Sequence, residues 1–391
     1  MPWSETDRME ERARFVLEAL EGWESMTELC ARYGVSRRVG YKWLERYRRE
    51  GLSGLADRSR SPHRQQAATP QRVVEAIVTL RKDHPTWGPR KLKAWLERAH
   101  PRRRWPACST MGAILKREGL TAPRRRRTLK PNVWRPPRTE ADAPNRVWTA
   151  DFKGEFRLGS GRLCYPLTIV DAHSRFLLAC RGMPSTATSG ARAGFERVFR
   201  EFGLPEVIRT DNGVPFSTQA VGGLSQLAVW WIRLGIRLER TRPRHPQDNG
   251  AHERMHRTLK AEATRPPART RELQQRAFNR FRTIYNEERP HEALDLETPT
   301  DRYEPSPRVM SKSLEALSYP DHFETRRVNQ HGQLRWRGRQ FFVSETLHGQ
   351  TIGLDFQDCG DWNVYFGPCF VAVLDEQHGR LRRLGARSPR R

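Results

Sequence analysis

Along the first fifty positions the apolar residues recur at helical spacing. Phe15, Val16, Ala19 and Leu20 share one face of a first predicted helix. A second is expected over Thr27–Tyr33, stopped by Gly34, a residue that accepts the positive φ of a tight turn. Ser36 can cap a third helix whose Val39, Trp43 and Leu44 face inward. That leaves Arg37, Arg38, Tyr41, Lys42 and Arg46 facing outward, as a helix lying in a DNA groove requires. An ordinary three-helix bundle with a solvated basic face would show the same pattern.

The pattern changes several times further along. Residues 52–70 are rich in Gly, Ser, Pro and Arg and read as a linker between a helix-turn-helix over 1–51 and a second helical unit over 71–120. In that unit Val73, Val74, Ile77 and Leu80 share a face, as do Leu92, Trp95 and Leu96, then Met111, Ile114 and Leu115 behind Ser109 as a cap. A second helix-turn-helix fits this pattern; so does a plain packing bundle. Residues 121–143 carry Arg124–Arg127, Lys130 and several prolines, and are expected to be an extended basic tether. Short runs of β-formers follow at Val147–Phe156, Tyr165–Val170 and Phe176–Cys180. Next come a helix with Phe195, Val198, Phe199 and Phe202 inward, a strand at Glu206–Arg209 and another near Ile236–Glu239. This is an α/β domain with a mixed sheet, placed at 144–303. Pro305 and Pro307 mark a linker over 304–322, and β-rich runs at Leu334–Arg337, Gln340–Val343, Thr351–Phe356 and Trp362–Phe366 predict a small all-β, barrel-like domain over 323–391. The expected protein is therefore multidomain: helical, then α/β, then all-β.

Charge narrows the class of partner. Seventy-one Lys and Arg against forty-five Asp and Glu leave +26, and well over half of that excess lies before Arg138. A polyanion is the natural partner, and nucleic acid fits better than a membrane surface. There is no apolar run long enough to span a bilayer and no signal sequence after Met1, so a soluble, cytoplasmic protein with no membrane partner is expected. The six cysteines form no CxxC pair and no short framework, and read as reduced, packed thiols.

Three acids stand out by their settings. Asp151 sits within the apolar strand Val147–Phe152, where a carboxylate is costly unless a cation neutralises it. Asp211 follows a strand immediately, and Glu253 begins a helix after the Pro- and Gly-containing loop Arg242–Gly250. Each alone is more simply a turn or helix-end residue. Together they are the set that phosphodiester chemistry needs, in which carboxylates hold two divalent ions about 3.5–4 Å apart. Arg257 and Lys260 fall on the same helical face as Glu253.

Five segments, VWTADFKG around Asp151, TIVDAHSRFLLAC at 168–180, RTDNGVPF around Asp211, RPRHPQDNGAHERMHRTLK around Glu253 and YNEERPHEALDLETPTDRY at 285–303, occur in that order. In them the chain resembles the bacterial insertion-sequence transposases of the retroviral-integrase (DDE) superfamily. The resemblance implies an RNase H-like core and catalytic, metal-holding roles for Asp151, Asp211 and Glu253 with Mg²⁺ or Mn²⁺. It also implies cleavage of transposon ends with transfer of the 3′-hydroxyl into target DNA. Partners would be the terminal inverted repeats and target DNA, bound by a homo-oligomer on paired ends, with Arg257 and Lys260 touching DNA near the site. Two features depart from it. Asp211 and Glu253 lie further apart than in retroviral integrases, with Val221–Trp231 as an insertion, and helix-turn-helix units replace a zinc-binding front end.

Two rivals share parts of this pattern. His252-Glu253-Arg254-Met255-His256 spells HExxH, a zinc-protease signature, but no third ligand motif follows and the reading leaves Asp151 and Asp211 unexplained. A DNA-binding regulator or an inactivated transposase would share the front end, and only the carboxylates argue against it.

Overall fold

The computed structural model describes residues 8–58, 69–121, 138–218, 221–242, 249–311, 313–314, 316–357 and 360–382. The chain divides into two compact units, Met1–Ala68 and Thr69–Arg391. Arg124–Arg127 and Lys130 lie outside the described residues.

The first unit is three helices, α1 (Arg8–Glu21), α2 (Met26–Arg32) and α3 (Arg37–Glu50). Local signals set their ends. Ser25 and Glu28 form a capping box at α2, and the Ser36 side chain accepts the Val39 N–H at α3. Gly34 between them has φ +65°. Phe15, Val16, Leu29, Cys30, Trp43 and Leu44 close the core. Gly40 is required there, because a Cβ would lie 2.6 Å from Cys30 Sγ and 2.8 Å from the Phe15 ring. Two expectations are corrected. Leu20 is exposed, since the last turn of α1 runs past the helices it packs on. The linker does not begin at residue 52: Leu55 is fully buried in a 3₁₀ turn, and its carbonyl accepts from the buried Arg12 at 2.8 Å. Arg12 also pairs with Asp57 and stacks 4.1 Å from the Trp43 ring centroid, which fastens the segment after α3 onto α1.

The second unit opens with α4 (Gln71–Asp83), α5 (Pro89–Ala99) and α6 (Cys108–Arg117). Ser109 does not cap α6. The helix begins at Cys108, with Ala107 at the cap position and no side-chain cap bond. These helices dock on the α/β core. Ile284 packs into their apolar cluster, Arg98 forms a two-pronged pair with Asp301 at 2.7 and 2.8 Å, and Thr86 bonds Glu262.

The core sheet contains β1 (Val147–Phe152), β2 (Phe156–Arg157), β3 (Leu163–Asp171), β4 (Leu177–Met183), β5 (Val207–Thr210) and β6 (Arg237–Arg240). Strand β3 pairs antiparallel with β1 and β4, while β1–β5 and β5–β6 are parallel, so the sheet is mixed as expected. The run predicted as one strand, 147–156, is broken after Phe152, and Gly154 at φ +78° lets the chain resume pairing as β2. Helices cover both faces: α7 (Thr188–Phe202) and α8 (Gln226–Arg233) on one, α9 (Gly250–Ala263) and α10 (Arg271–Thr283) on the other. Alternation along β1 sends Trp148 and Ala150 into the α7–α8 core and Thr149 and Asp151 to the α9 side.

The C-terminal region adds β7 (Glu324–Arg327), the hairpin β8 (Gln333–Trp336) and β9 (Arg339–Phe342), β10 (Thr351–Phe356), β11 (Trp362–Phe366), β12 (Cys369–Asp375) and β13 (Arg380–Arg382). Five of these form an antiparallel sheet in the order β13-β12-β11-β10-β7. Helix α8 is apolar all round because it is buried from two sides. Leu227, Trp230 and Trp231 enter the core, while Ala228, Val229 and Ile232 join the C-terminal cluster. The segment after Tyr303 is fastened rather than free. Ser306 N donates to Phe202 O, Leu204 N to Arg308 O, and the Arg308 guanidinium to Pro205 and Gly235 carbonyls. No helix among the described residues is long and apolar enough to cross a membrane.

Candidate active site

Register brings two of the three acids together. Strands β1 and β5 run parallel with Thr149 opposite Arg209, and continuing that register by two residues sets Asp211 beside Asp151. Asp211 is exposed just past β5, where its Oδ1 accepts the Gly213 N–H at 3.1 Å. A Cβ at Gly213 would stand 3.0 Å from Asp211 Oδ2 and push that carboxylate aside by a few tenths of an ångström. Glu253 is exposed in the first turn of α9, where the helix end favours a negative charge. The Asp151 side chain is 26% exposed, and its pKa is pushed up to about 7. Burial is the largest cause and the charge of Asp211 comes next; Lys153 opposes them and Glu253 adds a smaller push. The three carboxylates thus share one electrostatic neighbourhood at the sheet edge, and their hard oxygen donors suit a divalent cation.

Helix α9 is pinned to the sheet by a buried polar network. The Thr168 hydroxyl donates to the Asp151 carbonyl at 3.0 Å and accepts from the Nε2–H groups of His252 and His256, each at 2.7 Å. With its Nε2 donating, His252 accepts at Nδ1 from Thr149 Oγ1, 2.8 Å away. Burial drives both imidazole pKa values down, to about 3 for His252 and about 2 for His256, so both rings are neutral. His256 Nδ1 then presents a lone pair 3.6 Å from Asp151 Oδ2, two acceptors that a proton or a cation between them would reconcile. Ligand atoms of Asp151, His252 and His256 lie within 4.8 Å of one another. Both nitrogens of His252 are nevertheless held by threonine hydroxyls, which leaves neither free for the zinc that HExxH would bind. Thr168→Val keeps the shape and leaves two buried N–H groups without an acceptor. The expected cost is about 3 kcal/mol, read as a fall in the denaturant midpoint; an unchanged midpoint would contradict the network.

The remaining candidates divide. Arg257 and Lys260 are exposed on the Glu253 flank. On α3, Arg37, Arg38 and Lys42 are exposed, whereas Arg46 is half-buried with its guanidinium 5.0 Å from the Trp43 ring centroid. Sequence reasoning passed over Thr149 and Thr168. Their only signal was a hydroxyl at an otherwise apolar strand position facing a histidine-bearing helix. It also gave no role to Asp171, which is fully buried and accepts from Asn145 N, Ser174 N and Ser174 Oγ at 2.6–2.8 Å, shaping the β3–β4 turn.

Residues 141–246 and 234–299 match integrase core domains, residues 11–63 a helix-turn-helix domain and residues 39–115 a homeodomain-like domain. The Gag-Pol polyprotein of baboon endogenous virus is 34% identical over 128 residues, 33% of this chain and 7% of that one. The 31.7 kDa protein of insertion element IS407 from Burkholderia multivorans is 27% identical over 235 residues, 59% of this chain and 79% of that one. The chain therefore spans only a small part of the viral polyprotein but most of the insertion-element protein. Among solved structures, the integrase catalytic core domain of HTLV-2 in complex with magnesium (trimeric form) is 16% identical with a TM-score of 0.33, covering 41% of this chain and 98% of that one. The chain thus carries integrase core domains over residues 141–299, behind helix-turn-helix and homeodomain-like domains over residues 11–115.

Proposed function

We propose that the chain is a transposase that cleaves the ends of a mobile DNA element and transfers the 3′-hydroxyl into target DNA, with Asp151, Asp211 and Glu253 as the metal-holding catalytic set. The observation that supports this is the setting of Asp151, which burial first, then the charge of Asp211 and, more weakly, that of Glu253 raise well above the usual carboxylate range. A divalent cation reverses both causes of that shift, the burial and the like charge. Bound there, Mg²⁺, or Mn²⁺ in its place, supplies the charge that activates the attacking oxygen and stabilises the leaving one. Asp151 on β1 and Asp211 just past the adjacent parallel β5 set the floor of the site, and Glu253 closes it from α9. Arg257 and Lys260 hold flanking DNA phosphates on the same flank. The direct test is joining of a labelled DNA duplex, bearing the element's own end with a free 3′-hydroxyl, into a plasmid. Products are expected with Mg²⁺ and none with EDTA; no joining under any divalent ion would overturn the reading.

The exposed face of α3 is the proposed reader of the terminal repeats. Replacing Arg37, Arg38 and Lys42 together by Ala should weaken binding to the element's ends by about tenfold or more, with non-specific binding reduced less because many other cations remain. Equal affinity for the ends in a gel-shift titration at fixed salt would remove α3 from that role. Transposition joins two ends, so we infer a homo-oligomer on paired-end DNA. A scattering mass of one protomer per active pair of ends would refute it.

A further inference from the structure

A second site adjoins the first across α9. A cleft of about 690 Å³ is floored by Thr149, Val170 and Ala172 and walled by α9 on one side and by residues 285–293 on the other, with Lys91 of α5 reaching in. Five cations line it, Lys91, Arg175, Arg209, Arg254 and Arg289, against one carboxylate, Glu292. Glu239 pairs with Arg209 and Glu262 with Arg289, both at 2.8 Å. With Glu292 offsetting one more cation, two positive charges are left over. Among the described residues, Lys91, Arg175 and Arg254 make no ion pair within 4 Å. Burial, with Arg289 and Arg254 nearby, pushes the Lys91 amine down to about 8, and burial likewise disfavours the charge on Arg175, with Arg254 a smaller push the same way. Such crowding is costly unless an anion occupies the cleft.

Tyr285 adds a neutral donor. It is 6% exposed, lines the cleft, and its hydroxyl has no hydrogen-bond partner among the described residues. His291 holds it in place, bonded to its carbonyl at 3.2 Å and packed edge-on against its ring.

The helix separates this cleft from the carboxylates. At about 100° per residue, Ala251, Arg254 and Thr258 lie roughly 120° to one side of the buried His252–Met255–Leu259 stripe, and Glu253, Arg257 and Lys260 as far to the other. Residual charge, the unpaired hydroxyl and the size of the cleft together match a phosphate monoester, which carries about −1.5 to −2 near neutral pH. An internal diester carries only one charge and must thread through. We propose that this cleft binds the 5′-phosphorylated end of a DNA strand. The proposal rests on the transposase reading. Hydrolysis forms a bond from the water oxygen to phosphorus and breaks the bond from phosphorus to O3′, which takes up a proton. The ends released are a 3′-hydroxyl, kept at the carboxylates, and a 5′-phosphate, drawn to the far flank of α9.

The test uses the full chain in EDTA and fluorescence anisotropy with a 3′-labelled pentanucleotide carrying either a 5′-phosphate or a 5′-hydroxyl. The phosphorylated strand is expected to bind about tenfold more tightly, with most of that preference lost in Lys91→Gln and Arg254→Gln and part of it in Tyr285→Phe. Arg117→Gln, an exposed cation on α6, and Asp151→Asn should keep the preference in full. Arg254 is exposed, so its variant carries the test should Lys91→Gln fail to fold. Equal affinity for the two strands, or a preference that survives both substitutions, overturns the proposal. Inorganic phosphate binding as tightly as the phosphorylated strand overturns the DNA-end assignment. Joining assays run alongside separate the two readings: joining without the preference sinks this site alone, and the preference without joining sinks the transposase reading and leaves a phosphate site.

Discussion

Asp151→Asn, Asp211→Asn and Glu253→Gln are each expected to lower cleavage and strand joining by about 10³-fold or more, equivalent to about 4 kcal/mol of transition-state stabilisation. Each change keeps the side-chain shape and removes one charge from the shared edge. Binding to the element's ends should stay within about twofold, because the residues of α3 proposed to read them lie in a different unit of the chain. His252→Ala serves as the contrast. It disturbs the threonine network and lowers stability, but it leaves all three carboxylates, so joining should remain measurable in Mg²⁺ and no stoichiometric zinc should accompany the purified protein. Substantial joining by any carboxylate variant would remove that residue from the set. Zinc lost on mutating either histidine, together with peptidase activity, would overturn the transposase reading of α9.

The second large effect concerns stability without metal. Asp151 has its pKa raised from 3.8 to about 7. A carboxyl raised by folding favours the folded state while protonated, so its contribution is present at low pH and is lost as pH rises from about 4 to about 7. Asp151→Asn cannot ionise and escapes that loss. In EDTA the variant should therefore match the wild type near pH 4 and exceed it by about 2 kcal/mol above pH 7, a figure reduced from the full shift because the side chain keeps some contact with water. Mg²⁺ should reverse the order. At about a hundredfold over its dissociation constant it adds about 2.7 kcal/mol to the wild type and little to the variant. Denaturant midpoints across pH, with and without Mg²⁺, test both. A wild type more stable than the variant at pH 8 in EDTA would show that the carboxylates are relieved by some other means.

What could be read from the sequence was what is local in it. Ser36, Gly34 and the Val39–Trp43–Leu44 spacing announce α3 because caps, turns and helical periodicity act within a few residues. The chemical setting of Asp151 was equally plain, a charge where alternation puts apolar or hydroxyl neighbours. Contacts between distant segments were not legible. Arg12 bonding Leu55 O, Thr168 holding two histidines 84 and 88 residues away, and Thr86 meeting Glu262 depend on how separate segments close, which no periodicity encodes. The register that sets Asp211 beside Asp151 is of the same kind. Strands β7, β12 and β13 escaped for another reason: charged residues fill much of the short β7 and β13, and β12 follows a glycine–proline turn closely enough to merge with it.

The central claim is that a DNA 3′-hydroxyl attacks phosphorus directly, with the carboxylate edge holding the cations and no bond forming between protein and DNA. Joining into a target that carries a phosphorothioate of known configuration at the insertion point measures this directly. One in-line displacement predicts inverted configuration at phosphorus in the joined product. Retained configuration, or DNA covalently attached to the protein, would contradict it.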